Sequence, residues 1–181
     1  MDKDRIASRR VYLRALTKDD APALLEAVET SRESLKRRLR WVGDANDLEY
    51  FRRFIAAADA SSDSDTWGVF EAKGDRLIGV ASLQEMEDPQ RGRGRLALWI
   101  ASDRQDKGIG TEAARCLVDY GIRKRGLHRL FARLDPANRS FRRVLKKIGF
   151  RYEGCLRSDR RLNGRWVDQE CWGMLKSELK R

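Results

Sequence analysis

Gln105-Asp106-Lys107-Gly108-Ile109-Gly110-Thr111 joins two segments of different periodicity. Before it, Leu96 to Ala101 is a short apolar run of strand character. After it, Gly110 to Arg125 places Ala113, Ala114, Leu117, Val118, Gly121 and Ile122 on one helical face. A glycine-rich turn that opens a helix presents unpaired backbone N–H groups and the positive end of the helix dipole. Glycine also lets the backbone approach a pyrophosphate closely, so the pattern is that of a phosphate-binding turn, with an ordinary tight turn as the plain alternative. Two look-alikes fail on context. Gly92-Arg93-Gly94-Arg95-Leu96-Ala97 has dinucleotide-fingerprint spacing but precedes a strand, and its arginines suggest a basic loop. Nor does the segment around Gly108 have the spacing of a nucleoside-triphosphate loop.

Outward from the turn the periodicities alternate. Upstream, Arg10 to Leu16 has the two-residue period of a half-buried strand, and Thr17 is placed to cap a helix carrying Leu24, Leu25 and Val28. Ser34 to Leu39 and Asp47 to Ala58 read as helices. Thr66 to Ala72 and Leu77 to Gln84 read as strands around a Lys73-Gly74-Asp75 turn. Downstream comes a strand at Arg129 to Leu134. A helix follows, capped by Asn138 and ended by Gly149, with Phe141, Val144, Leu145 and Ile148 on one face. Phe150 to Leu156 and Arg165 to Leu175 are strands joined across Asn163-Gly164. This order predicts an α+β fold in which a mixed sheet with at least one crossover helix is flanked by helices, as a single domain over residues 1–181.

At 181 residues, with 41% hydrophobic and 37% charged residues, the chain can bury a core and is not a disordered polymer. No apolar run reaches the ~18 residues of a membrane span, and Met1 to Arg10 has no secretory h-region. Cys116, Cys155 and Cys171 are widely spaced, which reads as free thiols in the cytoplasm and not as a metal site. Net charge is +11, but residues 1–120 hold 21 Lys+Arg against 22 Asp+Glu, and residues 121–181 hold 18 against 6. That basic third is either a solvated surface or a face for polyanions: cofactor phosphates, RNA, or an acidic protein.

Q-x-x-G-x-G after a strand, followed by an Asn-capped helix ending in Gly-Phe, resembles the GNAT superfamily of acetyl-CoA-dependent N-acetyltransferases. Ile6 to Asp20 resembles its opening strand and first helix. Gly149-Phe150-Arg151-Tyr152-Glu153-Gly154, Leu162-Asn163-Gly164, Asp168 and Trp172-Gly173-Met174-Leu175 resemble the branch of ribosomal-protein N-terminal (α-amino) acetyltransferases. The resemblance implies a mostly antiparallel central sheet and acetyl-CoA as co-substrate, without a metal. It implies that Gln105, Lys107, Gly108, Ile109, Gly110 and Thr111 wrap the coenzyme A pyrophosphate. Trp99 and Ile100 would hydrogen-bond the pantetheine arm where their strand splays from its neighbour, with the backbone there polarising the thioester carbonyl. Asn138 would contact the cofactor, a helix cap being its plain alternative.

The chain departs from this pattern where the chemistry would sit. The family's serine or tyrosine acid falls on Phe141 or Leu145, and a branch glutamate falls on Arg160. Ser140 is the adjacent hydroxyl, rotated about 100° around the helix from Phe141. Glu85 and Glu87 lie where many relatives place a base, although most such carboxylates are simply solvated. His128 is the sole histidine and reads as a strand-entry residue. Trp67, Trp99 and Trp172 read as strand residues packed in the core, and Trp41 as a substrate contact. The expected activity is acetyl transfer to an amine, a protein N-terminal α-amine foremost. A non-catalytic acyl-CoA module docking on RNA or the ribosome, and a small-amine or antibiotic acetyltransferase, stand as alternatives. Net positive charge disfavours a polycationic acceptor.

Overall fold

Strand β2 (Val11–Arg14) shows why the sheet is covered on both sides. Val11 and Leu13 point into one core and Tyr12 into another, and all three are buried. The half-buried strand expected from alternation is therefore buried on both faces, because helices pack on each side of the sheet. A computed structural model describes residues 5–86 and 92–179. Its further elements are β1 (Ile6–Ala7), α1 (Ala21–Glu29), α2 (Arg32–Lys36), α3 (Leu48–Ala60), β3 (Asp65–Glu71), β4 (Leu77–Gln84) and β5 (Arg93–Ile100). They continue with α4 (Ile109–Asp119), β6 (Arg129–Leu134), α5 (Arg139–Ile148), β7 (Arg151–Leu162) and β8 (Arg165–Leu175). The eight strands form one sheet in the order β1-β2-β3-β4-β5-β6-β8-β7, antiparallel except for the parallel pair β5–β6 that α4 connects.

One core lies beneath α4 and α5 and contains Trp67, Leu83, Leu117, Leu145 and Trp172. The other lies beneath α1–α3 and contains Leu24, Val28, Phe51, Ile55 and Phe70. Trp67 and Trp172 are core residues, as expected. Thr17 is not a helix cap of the expected kind. Its N–H and Oγ1 donate to Asp20 Oδ2 at 2.7 and 3.1 Å, a 3₁₀ turn intervenes over Lys18–Asp20, and α1 begins at Ala21. Asp20 also receives Arg14 through two bonds of 2.8 Å, so a partly buried ion pair ties β2 to the turn that leads into α1.

Several boundaries differ from the sequence reading; the helix expected at Ser34 to Leu39, for one, runs from Arg32 to Lys36. The arginines of Gly92–Ala97 belong mainly to strand β5, not to a loop. Helix α4 opens into a π turn over Tyr120–Lys124, where Gly121 sits against Leu83 and Leu130 with no room for a Cβ. Strand β7 runs six residues beyond the expected end, through two bulges, and forms with β8 a long, mostly exposed hairpin. The feature that positions the site is the parallel pair. β5 and β6 are in register only at Arg93/Arg129, Gly94/Leu130 and Arg95/Phe131, while β5 stays paired with β4 as far as Ile100/Gly79. Beyond Arg95 the two strands diverge and leave a wedge in the middle of the sheet.

Candidate active site

The wedge opens into a cleft of about 210 Å³ whose floor is Leu98, Trp99 and Ile100 of β5. On one side stands the β5–α4 turn. Gly108 caps α4 with φ +77°, a left-handed conformation that glycine adopts without strain. The first helical bonds run from Thr111 N and Glu112 N to Gly108 O at 3.1 and 3.2 Å, so the N–H groups of Ile109 and Gly110 precede the hydrogen-bonded helix. A Cβ on Gly110 would stand 3.7 Å from Ile100 and 3.9 Å from Val144, ordinary contacts inside the cleft. Gly110 therefore leaves space where a side chain would project.

The turn is braced before any ligand arrives. Gln105 Nε2 donates to Ile100 O at 2.8 Å, and Lys107 Nζ donates to Asp103 O at 3.1 Å. From just before β2, Arg10 Nη1 donates to Lys107 O at 2.6 Å, and its Nε meets Glu112 Oε1 at 2.9 Å. Glu112 also accepts from Ser8 Oγ and Arg10 N. Burial pushes its carboxyl toward the neutral form, yet the Arg10 and Ser8 bonds outweigh that and hold it below the usual carboxylate range.

Helix α5 forms the other wall. Asn138 faces the cleft while its Oδ1 accepts from Phe141 N at 3.2 Å, so cap and cleft position coincide in one residue. Ser140 is an exposed lining residue, with Arg143 Nη2 3.4 Å from its Oγ. Phe141 is half-buried in the wall, and Leu145 is the fully buried residue of that face. Of the nine residues expected to hold the cofactor, Trp99, Ile100, Gln105, Gly108, Gly110, Thr111 and Asn138 line the cleft. Lys107 and Ile109 contribute to the turn itself. Lys107 is exposed on its outer side, and the Ile109 side chain is buried in the core.

Glu85 does not line the cleft. Its φ is +57° and its Oε1 is 2.6 Å from Arg95 Nε, at the level where β5 and β6 are still paired. Glu87 lies outside the described residues. His128 is exposed at the entry of β6, away from the cleft. Trp41 stacks near Tyr50 at 6.5 Å and stands 6.3 Å from Trp99, closing an apolar hollow behind the cleft floor.

Sequence reasoning passed over two groups. Arg143 and Lys147, four residues apart on α5, line the cleft opposite the glycine turn, and Arg143 Nη2 is 3.3 Å from Asp106 Oδ1 across the mouth. Their i, i+4 spacing beyond Asn138 was the available signal. Ser34, Leu35, Arg38 and Leu39 close the remaining side, and nothing local in the sequence marked them. Much of the basic third is otherwise paired internally: Arg123 with Asp119, Arg125 with Asp65, Arg129 with Glu153, Arg142 with Glu170 and Arg151 with Glu178. Among the described residues no group of His, Cys, Asp and Glu could hold a metal ion, and no helix is long and apolar enough to cross a membrane.

The family model "Acetyltransferase (GNAT) domain" matches residues 10–151. The chain is 29% identical to a Bacillus subtilis protein named "Probable N-acetyltransferase YjcK", over 96% of this chain and 98% of that one. Among solved structures, Mycobacterium smegmatis RimJ in complex with a CoA disulfide superposes with a TM-score of 0.91 at 21% identity, covering 99% of this chain and 90% of that one. The ribosomal L7/L12 α-N-protein acetyltransferase RimL, in complex with coenzyme A, gives 0.86 at 20% identity, covering 95% and 98%.

Proposed function

This chain belongs to the GNAT family of acetyl-CoA-dependent N-acetyltransferases, and we propose that its acceptor is the α-amine at the N-terminus of a protein. The observation that carries the proposal is the divergence of β5 from β6 beyond Arg95/Phe131, beside a glycine turn that opens α4. The unpaired edge of β5 at Leu98 to Ile100 offers main-chain groups to a pantetheine arm. The α4 N-terminus, braced by Arg10 and Gln105, offers N–H groups and dipole to a pyrophosphate. Arg143 and Lys147 supply countercharge from the facing wall, so the residues present fit the co-substrate.

In this reading the chain acts mainly by positioning. Acetyl thioester and amine meet in a ternary complex, and backbone N–H groups on β5 stabilise the oxyanion as the C–N bond forms. An α-amine titrates near ~7.7–8.0, so a useful fraction is already the free base at neutral pH, unlike a lysine side chain near ~10.4. No strong base is then required, in keeping with the engagement of Glu85 by Arg95 outside the cleft. The departing thiolate takes its proton from Ser140 or from water, because a thiol is acidic enough to leave without a strong acid. RimL, an α-N-protein acetyltransferase, supplies the analogy for the acceptor class.

The test is turnover of acetyl-CoA against free-N-terminal peptides, the same peptides with a blocked N-terminus, polyamines and aminoglycosides. Transfer to free-N-terminal peptides alone supports the proposal. Transfer to polyamines or aminoglycosides in preference to peptides would replace it.

A further inference from the structure

Several arginines of this protein are matched with carboxylates: Arg10 pairs with Glu112, Arg14 with Asp20, Arg76 with Asp103, Arg104 with Glu71 and Arg142 with Glu170. A group of arginines without such partners lies at the end of the cleft away from the glycine turn. There Arg38, Arg40, Arg160 and Arg161 gather from two distant segments, and among the described residues none of the four has a carboxylate within 4 Å.

Arg38 lines the cleft. Arg160, half-buried on β7, donates from Nη2 to Arg38 O at 3.3 Å and so ties the β7–β8 hairpin to the segment after α2. Its Nε is shut away from solvent with no acceptor in the protein. Beside this contact a second hollow of about 280 Å³ is bounded by Arg40, Arg161, Asn163 and Gly164. Unpaired guanidinium groups thus run from the cleft wall out to the turn of the hairpin.

We propose that this row selects the acceptor: a polypeptide whose free N-terminus is followed, within the next few residues, by aspartate or glutamate. The inference rests on the N-terminal acetylation proposed above and names its substrate class. With the α-amine in the cleft, an extended chain advances ~3.3 Å per residue and carries its next side chains along the row. Carboxylates match the planar, bidentate guanidinium fork. A nucleic acid fits less well, because Arg38 lines the cleft itself and Arg160 is half-buried against it, whereas a phosphate backbone needs an exposed row.

Three peptides of equal length test this, differing only at positions three to six, which are acidic, neutral or basic. Each is assayed for kcat/KM with acetyl-CoA at low and high salt. A C-terminally labelled acidic peptide is also titrated by fluorescence anisotropy, with a ribosomal-RNA oligonucleotide as competitor. Wild type should prefer the acidic over the neutral peptide by ~10-fold or more, mostly through KM, with the preference shrinking as salt rises. The exposed pair of changes Arg40→Glu and Arg161→Glu should reverse that order of kcat/KM. Unchanged acetyl-CoA affinity would certify the fold of this variant.

Equal rates for the three peptides, or an unaltered order in the double variant, would overturn the proposal. So would RNA displacing the acidic peptide at concentrations where the neutral peptide binds as well as the acidic one. If no peptide is acetylated but the acidic one binds in a salt- and arginine-dependent way, the acetylation reading fails and the recognition of acidic chains stands. If peptides are acetylated without regard to charge, the reverse holds.

Discussion

At the glycine-turn end of the cleft the groups offered to the proposed co-substrate are main-chain N–H groups fixed by a local motif. At the far end they are arginine side chains brought together from positions 122 residues apart, as Arg38 and Arg160 are. The first end is braced from behind by Arg10, Gln105 and Glu112, so its geometry exists before ligand binds. The second is unpaired and awaits a partner. A preorganised backbone site suits a co-substrate whose pyrophosphate and pantetheine never change, because it spends no ordering entropy at each binding event. A side-chain site suits an acceptor that differs between relatives, because single substitutions on α2 or the hairpin retune it without disturbing the sheet.

Gly110→Glu should give the largest effect at the first end. A carboxylate would project into the space between Ile100 and Val144, and acetyl-CoA affinity by isothermal titration should fall by ~100-fold or more, with the thermal midpoint nearly unchanged. Wild-type affinity in that folded variant would break the assignment of the turn. Arg143→Ala with Lys147→Ala should cost ~10-fold in affinity for coenzyme A and distinctly less for its 3′-dephospho form, while the acceptor KM holds. An equal loss for both forms would place these residues against the pyrophosphate instead.

Ser140→Ala should slow turnover less than ~10-fold, about 1.4 kcal/mol. Phe141→Ser should remain active and lower the thermal midpoint. A loss of several orders of magnitude in folded Ser140→Ala would make Ser140 the proton donor. Phe141 is half-buried in the cleft wall, so the destabilisation should fall below the ~3–5 kcal/mol of a fully buried phenylalanine.

The smallest effect is a pH dependence of stability. Burial raises the Asp20 carboxyl, but the bonds from Arg14 and Thr17 outweigh it and leave it below its ordinary value. A carboxyl depressed in the folded state contributes stability above its unfolded pKa of ~3.9 and loses it as pH falls through the lower folded value. Thermal melts should therefore decline on acidification through and below that pH, and Asp20→Asn should be less stable at neutral pH with a shallower decline. Parallel curves for the two proteins would show that the pair contributes nothing.

Much of the architecture could be read from periodicity. The run Leu96–Ala101, the turn and the α4 face fixed the crossover, and Asn138 with Gly149 bounded α5 to within a residue. Strand β7 was read too short because its bulges interrupt the alternation that marks a strand. Strand β5 was read too short because Gly94 and its flanking arginines look like a loop, although Leu127 packs where a Cβ on Gly94 would go. Seven of the nine expected cofactor residues meet in the cleft, because β5, the turn that follows it and the cap of α5 converge there; Lys107 and Ile109, inside the same turn, point elsewhere. Arg38 carries no local signature, and only the folding of the β7–β8 hairpin onto the segment after α2 brings it to Arg160; Trp41, expected to touch substrate, lies instead in the hollow behind the cleft floor.

The central claim is that this cleft transfers acetyl to an N-terminal α-amine by holding the two reactants together. It is tested most directly by incubating the wild-type protein with acetyl-CoA and a peptide that carries both a free N-terminus and an internal lysine, then locating the acetyl group by fragment mass spectrometry. The account predicts a single acetyl group on the α-amine, with free coenzyme A released in equal amount and the lysine untouched. Acetylation of the lysine instead, or tight acetyl-CoA binding with no transfer to any amine, would contradict it.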